Sequence, residues 1–347
     1  MKMTTLGRSD LRVSELCLGS MTWGNQTAPE DGHRQIDMAL AAGINFIDTA
    51  EMYPVNPIRA ETVGRTEEVI GSWLARTGRR DDVVIATKIT GPNGGFVRDG
   101  AGISADTIRD AVDGSLRRLQ TDVIDLYQLH WPNRGSYHFR QNWSYDPSGQ
   151  DRADTIAHMT EVLETLGALV QAGKIRHIGL SNESAWGTAQ WLRLSEAGAG
   201  PRVQTIQNEY SLLNRLYDTD LAELAVNEDV TLLAFSPLGA GLLTGKYAGD
   251  VTPDGSRREN STDLGGRITP RVWEAVSAYL GVANAHGLDP VHMALAFTLS
   301  RPFPTVPIFG ATTVAQLEHI LRGVDLTLSD AVLSDIAVAH KAHPMPY

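Results

Sequence analysis

Phe46 to Tyr53 reads Phe-Ile-Asp-Thr-Ala-Glu-Met-Tyr, an apolar strand that delivers a carboxylate, Asp48, and within one turn a phenol, Tyr53. Two later apolar runs end in a similar way. Val83 to Ala86 leads to Thr87 and Lys88, and Ile124 to Leu129 leads to His130. A free tyrosine, with a pKa of about 10, keeps its proton at neutral pH, and a neighbouring ammonium favours the phenolate. Lowering that pKa by about 2 units corresponds to roughly 3 kcal/mol. Asp48 would keep Lys88 charged and aimed, and His130 could orient a carbonyl oxygen. Together the four groups make a general acid with its tuning shell, suited to protonating an alkoxide as hydride reaches carbon. Each also has a plainer reading: Asp48 as a turn cap, Lys88 as a solvated strand-edge charge, His130 as a core histidine, Tyr53 as the wall of a loop.

The elements that must position these groups alternate from end to end. A hairpin is expected in Met3 to Val13. Strands follow at 16–18, 46–49, 83–87, 124–129, 178–180, 203–207, 231–235 and 305–308. Between them lie helical patterns such as 31–42, where Ile36, Ala39 and Leu40 share a face, and a helix after Ser104, where Ile108, Val112, Leu116 and Leu119 do. Further helices are expected at 66–75, 156–172, 185–196, 218–227, 270–286, 290–300, 314–321 and 329–340. Eight β-then-α units predict a single parallel (β/α)8 TIM barrel spanning 1–347, with an N-terminal hairpin and extra C-terminal helices. Chemistry in such a barrel sits at the C-terminal ends of the strands, where Asp48, Lys88 and His130 fall. Two long loops, 131–153 and 236–269, are expected at that face as lids or binding loops. The first carries Tyr137, His138, Phe139, Trp143 and Tyr145, which would either wall a substrate or pack the loop onto the barrel.

Composition narrows the functional classes. The chain has 347 residues, 42% hydrophobic and 20% charged, with a formal charge of −11. An acidic surface argues against general nucleic-acid or anionic-membrane binding. No apolar run approaches the roughly 18 residues that cross a bilayer, and the start of the chain carries no apolar signal core, so a cytoplasmic location is expected. Cys17, the only cysteine, reads as a buried strand thiol between Leu16 and Leu18. No histidine or cysteine pair has zinc-ligand spacing, and His340 with His343 lies in a Pro-rich tail, so no metal is expected.

The motifs Gly-Ser-Met-Thr-Trp-Gly (19–24), Asp-Thr-Ala-Glu-Met-Tyr (48–53), Ala-Thr-Lys (86–88), Leu-Tyr-Gln-Leu-His-Trp-Pro (126–132) and Gly-Lys-Ile-Arg-His-Ile-Gly-Leu-Ser-Asn (173–182) resemble the aldo-keto reductase superfamily. The phrases at 207–215 and 235–247 resemble its Tas-like branch, which is similar to potassium-channel β subunits. The resemblance covers nearly the whole chain. It implies a catalytic tetrad of Asp48, Tyr53, Lys88 and His130, with Tyr53 as proton donor, and an NADP(H) site. Ser181, Asn182 and Gln207 match positions that hold the nicotinamide carboxamide, and Phe235 matches the aromatic stacked on its ring. Ser236, Leu238, Gly241 and Lys246 match the pyrophosphate loop, with Arg257 a further phosphate contact. Gly310, Thr312 and Gln316 match the segment around the adenosine phosphate. Ile320, after His319, stands where many relatives have an asparagine beside the adenine, which leaves one adenine contact and the preference for NADP over NAD open.

Two lookalikes fail, one on spacing and one on residue type. Gly239 to Gly245 is one residue too long for a dinucleotide fingerprint and follows Pro237, while Ala240 to Tyr247 lacks both the first glycine and the hydroxyl of a Walker loop. The reading that emerges is an NADPH-dependent oxidoreductase that reduces an aldehyde or ketone. Trp23, Met52 and Trp131 point to an apolar or ring-shaped carbonyl compound as substrate. Alternatives are a cofactor-binding interaction module like channel β subunits, and a barrel hydrolase using Asp48, Glu51 and Glu209. Oligomeric state is not readable.

Overall fold

The computed structural model describes residues 1–347. Met3–Thr5 (β1) and Arg12–Ser14 (β2) form the antiparallel hairpin. Eight parallel strands then close on themselves: Cys17–Gly19 (β3), Phe46–Asp48 (β4), Val84–Ile89 (β5), Ile124–Leu129 (β6), Ile175–Ser181 (β7), Val203–Glu209 (β8), Thr231–Phe235 (β9) and Thr305–Gly310 (β10). β10 pairs with β3, so no edge is left open. The (β/α)8 barrel expected from the sequence is the fold observed. Several strands run beyond their apolar cores, because backbone pairing with both neighbours continues through polar residues. Lys88 therefore lies inside β5, facing Gln128 of β6, and β8 carries on to Glu209.

The helices α1 (Pro29–Ala41), α2 (Arg65–Thr77), α3 (Ala105–Leu119), α4 (Arg152–Gln171), α5 (Ala185–Glu196) and α6 (Asp220–Glu228) fill successive crossovers. The short α7 (Arg257–Asn260) lies in the second long loop. Val272–Ala285 (α8), Pro290–Leu299 (α9), Val314–Leu321 (α10) and Asp330–Ala342 (α11) complete the chain. Ser104 caps α3 as expected, in a reciprocal capping box with Thr107. No helix is long and apolar enough to cross a membrane.

Two cores separate cleanly. Between barrel and helices lies a cluster of 69 buried residues, while the barrel interior is a smaller cluster of 10. The inner one contains Cys17, Phe46, Ala86, Leu126, Leu233, Val306 and Ile308, joined by Leu6, Leu11 and Val13 of the hairpin, which plugs the bottom. Strand side chains alternate in and out with a period of two, so the next inward position above this layer is Gly19, Asp48, Lys88, Gln128, Phe235 and Gly310 in the respective strands. One two-residue step thus turns an apolar floor into a polar and aromatic layer. Cys17 belongs to the floor as expected, and burial raises its thiol pKa well above the ordinary value.

Helix α2 passes α3 at very close range. A Cβ on Gly71 would lie 2.1 Å from the carbonyl oxygen of Arg118, which belongs to backbone and cannot turn away. Gly71→Ala is expected to destabilise the fold by about 1–3 kcal/mol despite the better helix propensity of alanine, measured by urea unfolding.

Candidate active site

Asp48 ends β4, two residues above Phe46, and its carboxylate meets three donors. Lys88 Nζ donates to Oδ2 at 2.7 Å, and Gln207 Nε2 and Gln128 Nε2 donate to Oδ1 at 2.8 and 3.3 Å. Lys88 also donates to the carbonyl of Thr49 at 2.7 Å, and its side chain has no exposed surface. Burial pulls the ammonium pKa down, but the Asp48 carboxylate and the Tyr53 phenol more than reverse this, so Lys88 is lifted and stays charged. Gln128 was not singled out in the sequence, because inside Leu-Tyr-Gln-Leu it reads as ordinary strand alternation.

Tyr53 stands in the loop after β4, held by a turn in which its N–H donates to the carbonyl of Ala50. The Lys88 ammonium lies 4.9 Å from the centre of its ring, and the His130 ring packs edge-on at 5.9 Å. The four groups predicted at the ends of three strands are therefore neighbours. The expected acidification of the phenol is not observed. Burial pushes the Tyr53 pKa above its ordinary value, and the opposing pull of Lys88 only partly offsets it. The Tyr53 hydroxyl therefore keeps its proton at neutral pH. His130 lies just past β6; burial, and then the Lys88 charge, hold its pKa well below the usual imidazole range, so the ring is neutral. Its Nδ1 has no partner. The plainer reading of Lys88 as a solvated edge charge fails, since water does not reach it.

Beside this cluster the ends of β7 and β8 carry amides. Ser181 Oγ donates to the carbonyl of Gln207 at 2.8 Å, and Asn182, with φ of 53°, donates to the carbonyl of His130 at 2.9 Å. The buried Oδ1 of Asn182 has no partner. Phe235 ends β9, half-buried, in register with Glu209.

The far side of the mouth is cationic. Glu209 is buried and binds Arg267 Nε at 2.8 Å and Arg140 Nη1 at 2.9 Å, while the Tyr347 hydroxyl donates to it at 3.3 Å. Arg140 belongs to the first long loop and Arg267 to the second, so one carboxylate ties both to the end of β8. Arg267 reaches Ser236 Oγ at 3.5 Å. Arg257 has a buried Nε with no partner, and burial followed by the Arg267 charge pulls its pKa down to about 10. Lys246 is lowered too, by burial and then by Arg257. Four cations therefore gather around one carboxylate, next to a loop in which Ser236, Gly239, Ala240 and Gly241 all have positive φ. Such a surplus, with an orphaned guanidinium nitrogen, fits an anionic group. Arg140 and Arg267 escaped the sequence reading because each sits mid-loop, with no motif around it.

Beyond β10, Gly310 faces Gly19 of β3 across the barrel seam, and Thr312 and Gln316 lie at the start of α10. The Gln316 side chain accepts from the N–H of Thr312 at 2.8 Å as part of a capping box with Thr313, so it already shapes that turn. Ile320 is buried and packs in the outer core.

Around the mouth the aromatic residues divide. Trp23 is fully buried against Gly32, its indole N–H donating to Gln35, and it cannot wall a substrate as expected. Tyr137 packs on His138 at 4.4 Å and meets Tyr145 edge-on at 5.9 Å, while His138 Nε2 lies 3.0 Å from the carbonyl of Glu183 and so ties the first loop down. Trp131 packs on His130 at 4.7 Å and meets the exposed Phe139 edge-on at 5.9 Å, while Met52 lies in a small apolar cluster with Tyr53 and Trp131. Trp143 is exposed, with the Arg271 guanidinium 4.6 Å from its ring centre.

The hydrolase alternative fails on these contacts. Asp48 is committed to Lys88, Glu51 to Arg98 and Glu209 to two arginines, which leaves no free carboxylate pair.

The closed (β/α)8 barrel thus carries a buried Asp–Lys pair, a phenol and a neutral imidazole at one end of its strands. The aldo/keto reductase family model matches residues 15–340, and the chain belongs to this family, whose members act on carbonyl compounds and generally use NAD(P)H. It is 43% identical over 352 residues to protein Tas of Escherichia coli, covering 100% of this chain and 99% of that one. It is 35% identical to the uncharacterized oxidoreductase YrpG of Bacillus subtilis, covering 96% and 94% of the two chains. A probable voltage-gated potassium channel subunit beta of Arabidopsis thaliana is 30% identical, covering 99% and 98%.

Because Lys88 is buried and charged, removing its carboxylate strands it. Asp48→Asn is expected to cost about 3–5 kcal/mol of stability, read by chemical denaturation, with the loss reduced in the double variant Asp48→Asn, Lys88→Met.

Proposed function

We propose that the protein reduces an aldehyde or ketone to an alcohol with NADPH, Tyr53 giving the proton. The contact that carries this reading is the Tyr53 phenol packed between the Lys88 ammonium and the neutral His130 ring. Reduced nicotinamide bound at this mouth supplies the hydride. Ser181, Asn182 and Gln207 would hold its carboxamide, with the unpartnered Oδ1 of Asn182 as an acceptor. Phe235 would support its ring, and Lys246, Arg257 and Arg267 would take the phosphates, with Ser236, Leu238 and Gly241 shaping that loop. Gly310, Thr312 and the N-terminus of α10 would meet the adenosine end.

His130, neutral, donates to the carbonyl oxygen and orients it. As charge develops on that oxygen the Tyr53 hydroxyl lies ready to protonate it, and the Lys88 ammonium stabilises the phenolate left behind. Asp48 keeps Lys88 charged and aimed. Trp131 and Phe139 offer an aromatic wall, favouring apolar or ring-shaped carbonyl compounds.

Similarity to a channel subunit supports a second reading, in which bound cofactor sets an interaction state. Protein that binds NADPH yet reduces no member of a broad carbonyl panel would favour it.

Deuteride from labelled NADPH should appear on the carbonyl carbon of the product. Tyr53→Phe should retain NADPH binding, followed by fluorescence, and lose reduction by about 10²–10⁴-fold. The pH profile tests the protonation states directly. With Tyr53 raised and His130 lowered, kcat for reduction should stay level from pH 6.5 to 9 and fall only above the ordinary tyrosine range. A titration near pH 6.5 that vanishes in His130→Gln would count against a neutral histidine.

A further inference from the structure

Away from the barrel mouth, the start of α9 and the end of α10 bring together three side chains that no contiguous motif announces. Asp289, His292 and His319 each present one ligand atom, and these atoms all lie within 4.8 Å of one another. His319 Nε2 is 3.0 Å from Asp289 Oδ2, and His292 Nδ1 is 3.9 Å from Asp289 Oδ1. All three are half-buried, with the two imidazole rings stacked at 5.0 Å. We propose that Asp289, His292 and His319 form a binding site for one divalent cation of the zinc type, with solvent completing its coordination.

Three features support a ligand set over a plain ion pair. His292 Nε2 lies 2.7 Å from the carbonyl of His319, which can only accept, so the hydrogen is on Nε2 and the lone pair is on Nδ1, facing Asp289. This outer contact is the kind that orients metal-bound histidines. Asp289 Oδ1 is occupied in capping α9, accepting from the N–H groups of Val291 and His292 at 2.9 and 3.2 Å, while Oδ2 points to His319. The carboxylate is thus fixed before any ion arrives. Finally, a Cβ on residue 323 would lie 2.0 Å from the His292 ring, so Gly323 leaves room for that ring to sit where it does.

His319 must change tautomer. Its Nδ1 accepts from Arg322 at 3.1 Å, which leaves the hydrogen on Nε2, donated to Asp289. Binding through Nε2 moves that hydrogen to Nδ1 and releases the exposed Arg322 side chain to water, with no net proton lost. Ligand atoms around a tetrahedral zinc lie about 3.3 Å apart, so rotation of the side chains suffices to close the present spacing. Two imidazoles and a carboxylate suit Zn²⁺, Ni²⁺ or Co²⁺ better than Mg²⁺ or Ca²⁺.

The test uses the full-length protein, stripped with a chelator and titrated with zinc chloride by calorimetry and cobalt chloride by visible absorption. One equivalent should bind, with the absorption bands of four- or five-coordinate cobalt. Asp289→Asn, which still caps α9, and the pair His292→Gln, His319→Gln should each weaken binding more than tenfold. His340→Ala and His343→Ala should bind as the wild type does. Failure of the wild type to take up an equivalent, or unchanged binding in the site variants, overturns the proposal. Should those variants not fold, Co²⁺ added to the wild type must shift the ring signals of His292 and His319 in NMR, and unshifted signals overturn it equally.

Discussion

A fully buried ammonium is among the most expensive groups a protein can carry, and the mouth of this barrel is built around one. Lys88 is tolerated because Asp48 and the carbonyl of Thr49 each accept from it at 2.7 Å. Desolvating both ions costs several kcal/mol each, so the pair adds little stability by itself and must be kept intact to avoid a large loss. The rest of the site follows from meeting that constraint. Gln207 and Gln128 occupy the other carboxylate oxygen, and Gln207 in turn lies under Ser181 and Asn182. A network in which Lys88 donates to two acceptors and Gln207 Nε2 reaches both Asp48 and Gln128 leaves little freedom to the surrounding side chains.

The barrel supplies this arrangement through register. Inward positions recur every two residues, so Asp48, Lys88, Gln128 and Phe235 stand one step above Phe46, Ala86, Leu126 and Leu233. The apolar layer below excludes water from the ammonium. The same exclusion explains why Tyr53 is pushed up and not down. Desolvation penalises the phenolate more than a nearby positive charge, already spent on Asp48, can offset. For a proton donor this is the useful direction, since the hydroxyl is fully protonated at neutral pH.

What could be read without coordinates divides along physical lines. Asp48, Lys88 and His130 were legible because each interrupts or follows an apolar run at the strand end where barrels place chemistry. The eight-fold alternation gave the fold for the same reason. Gln128 was hidden in a strand whose polar residue looks like routine alternation, and Trp23 looked like a substrate wall until packing showed it sealed beneath α1. The direction of the Tyr53 shift depends on tertiary burial, which no local pattern encodes. Arg140, Arg267 and the Asp289, His292 and His319 group are joined only by folding, across separations that spacing rules do not span.

The second pole of the mouth gains its meaning from the first. The tetrad side is nearly neutral, since Lys88 and Asp48 cancel and His130 is uncharged. By contrast the β8 to β10 side holds Lys246, Arg140, Arg257 and Arg267 against Glu209 alone, on a chain whose formal charge is −11. A ligand with an anionic middle and an uncharged reactive end would be oriented by that difference before any specific contact forms. Its phosphates would find the cations, and its neutral ring would fall towards Phe235 and Asn182. Binding energy gathered at the anionic part can then position the reacting end, where little attraction is available. Glu209 limits the mutual repulsion of the arginines and fastens both long loops to β8, so the cationic pole is held in place by the same carboxylate that partly neutralises it.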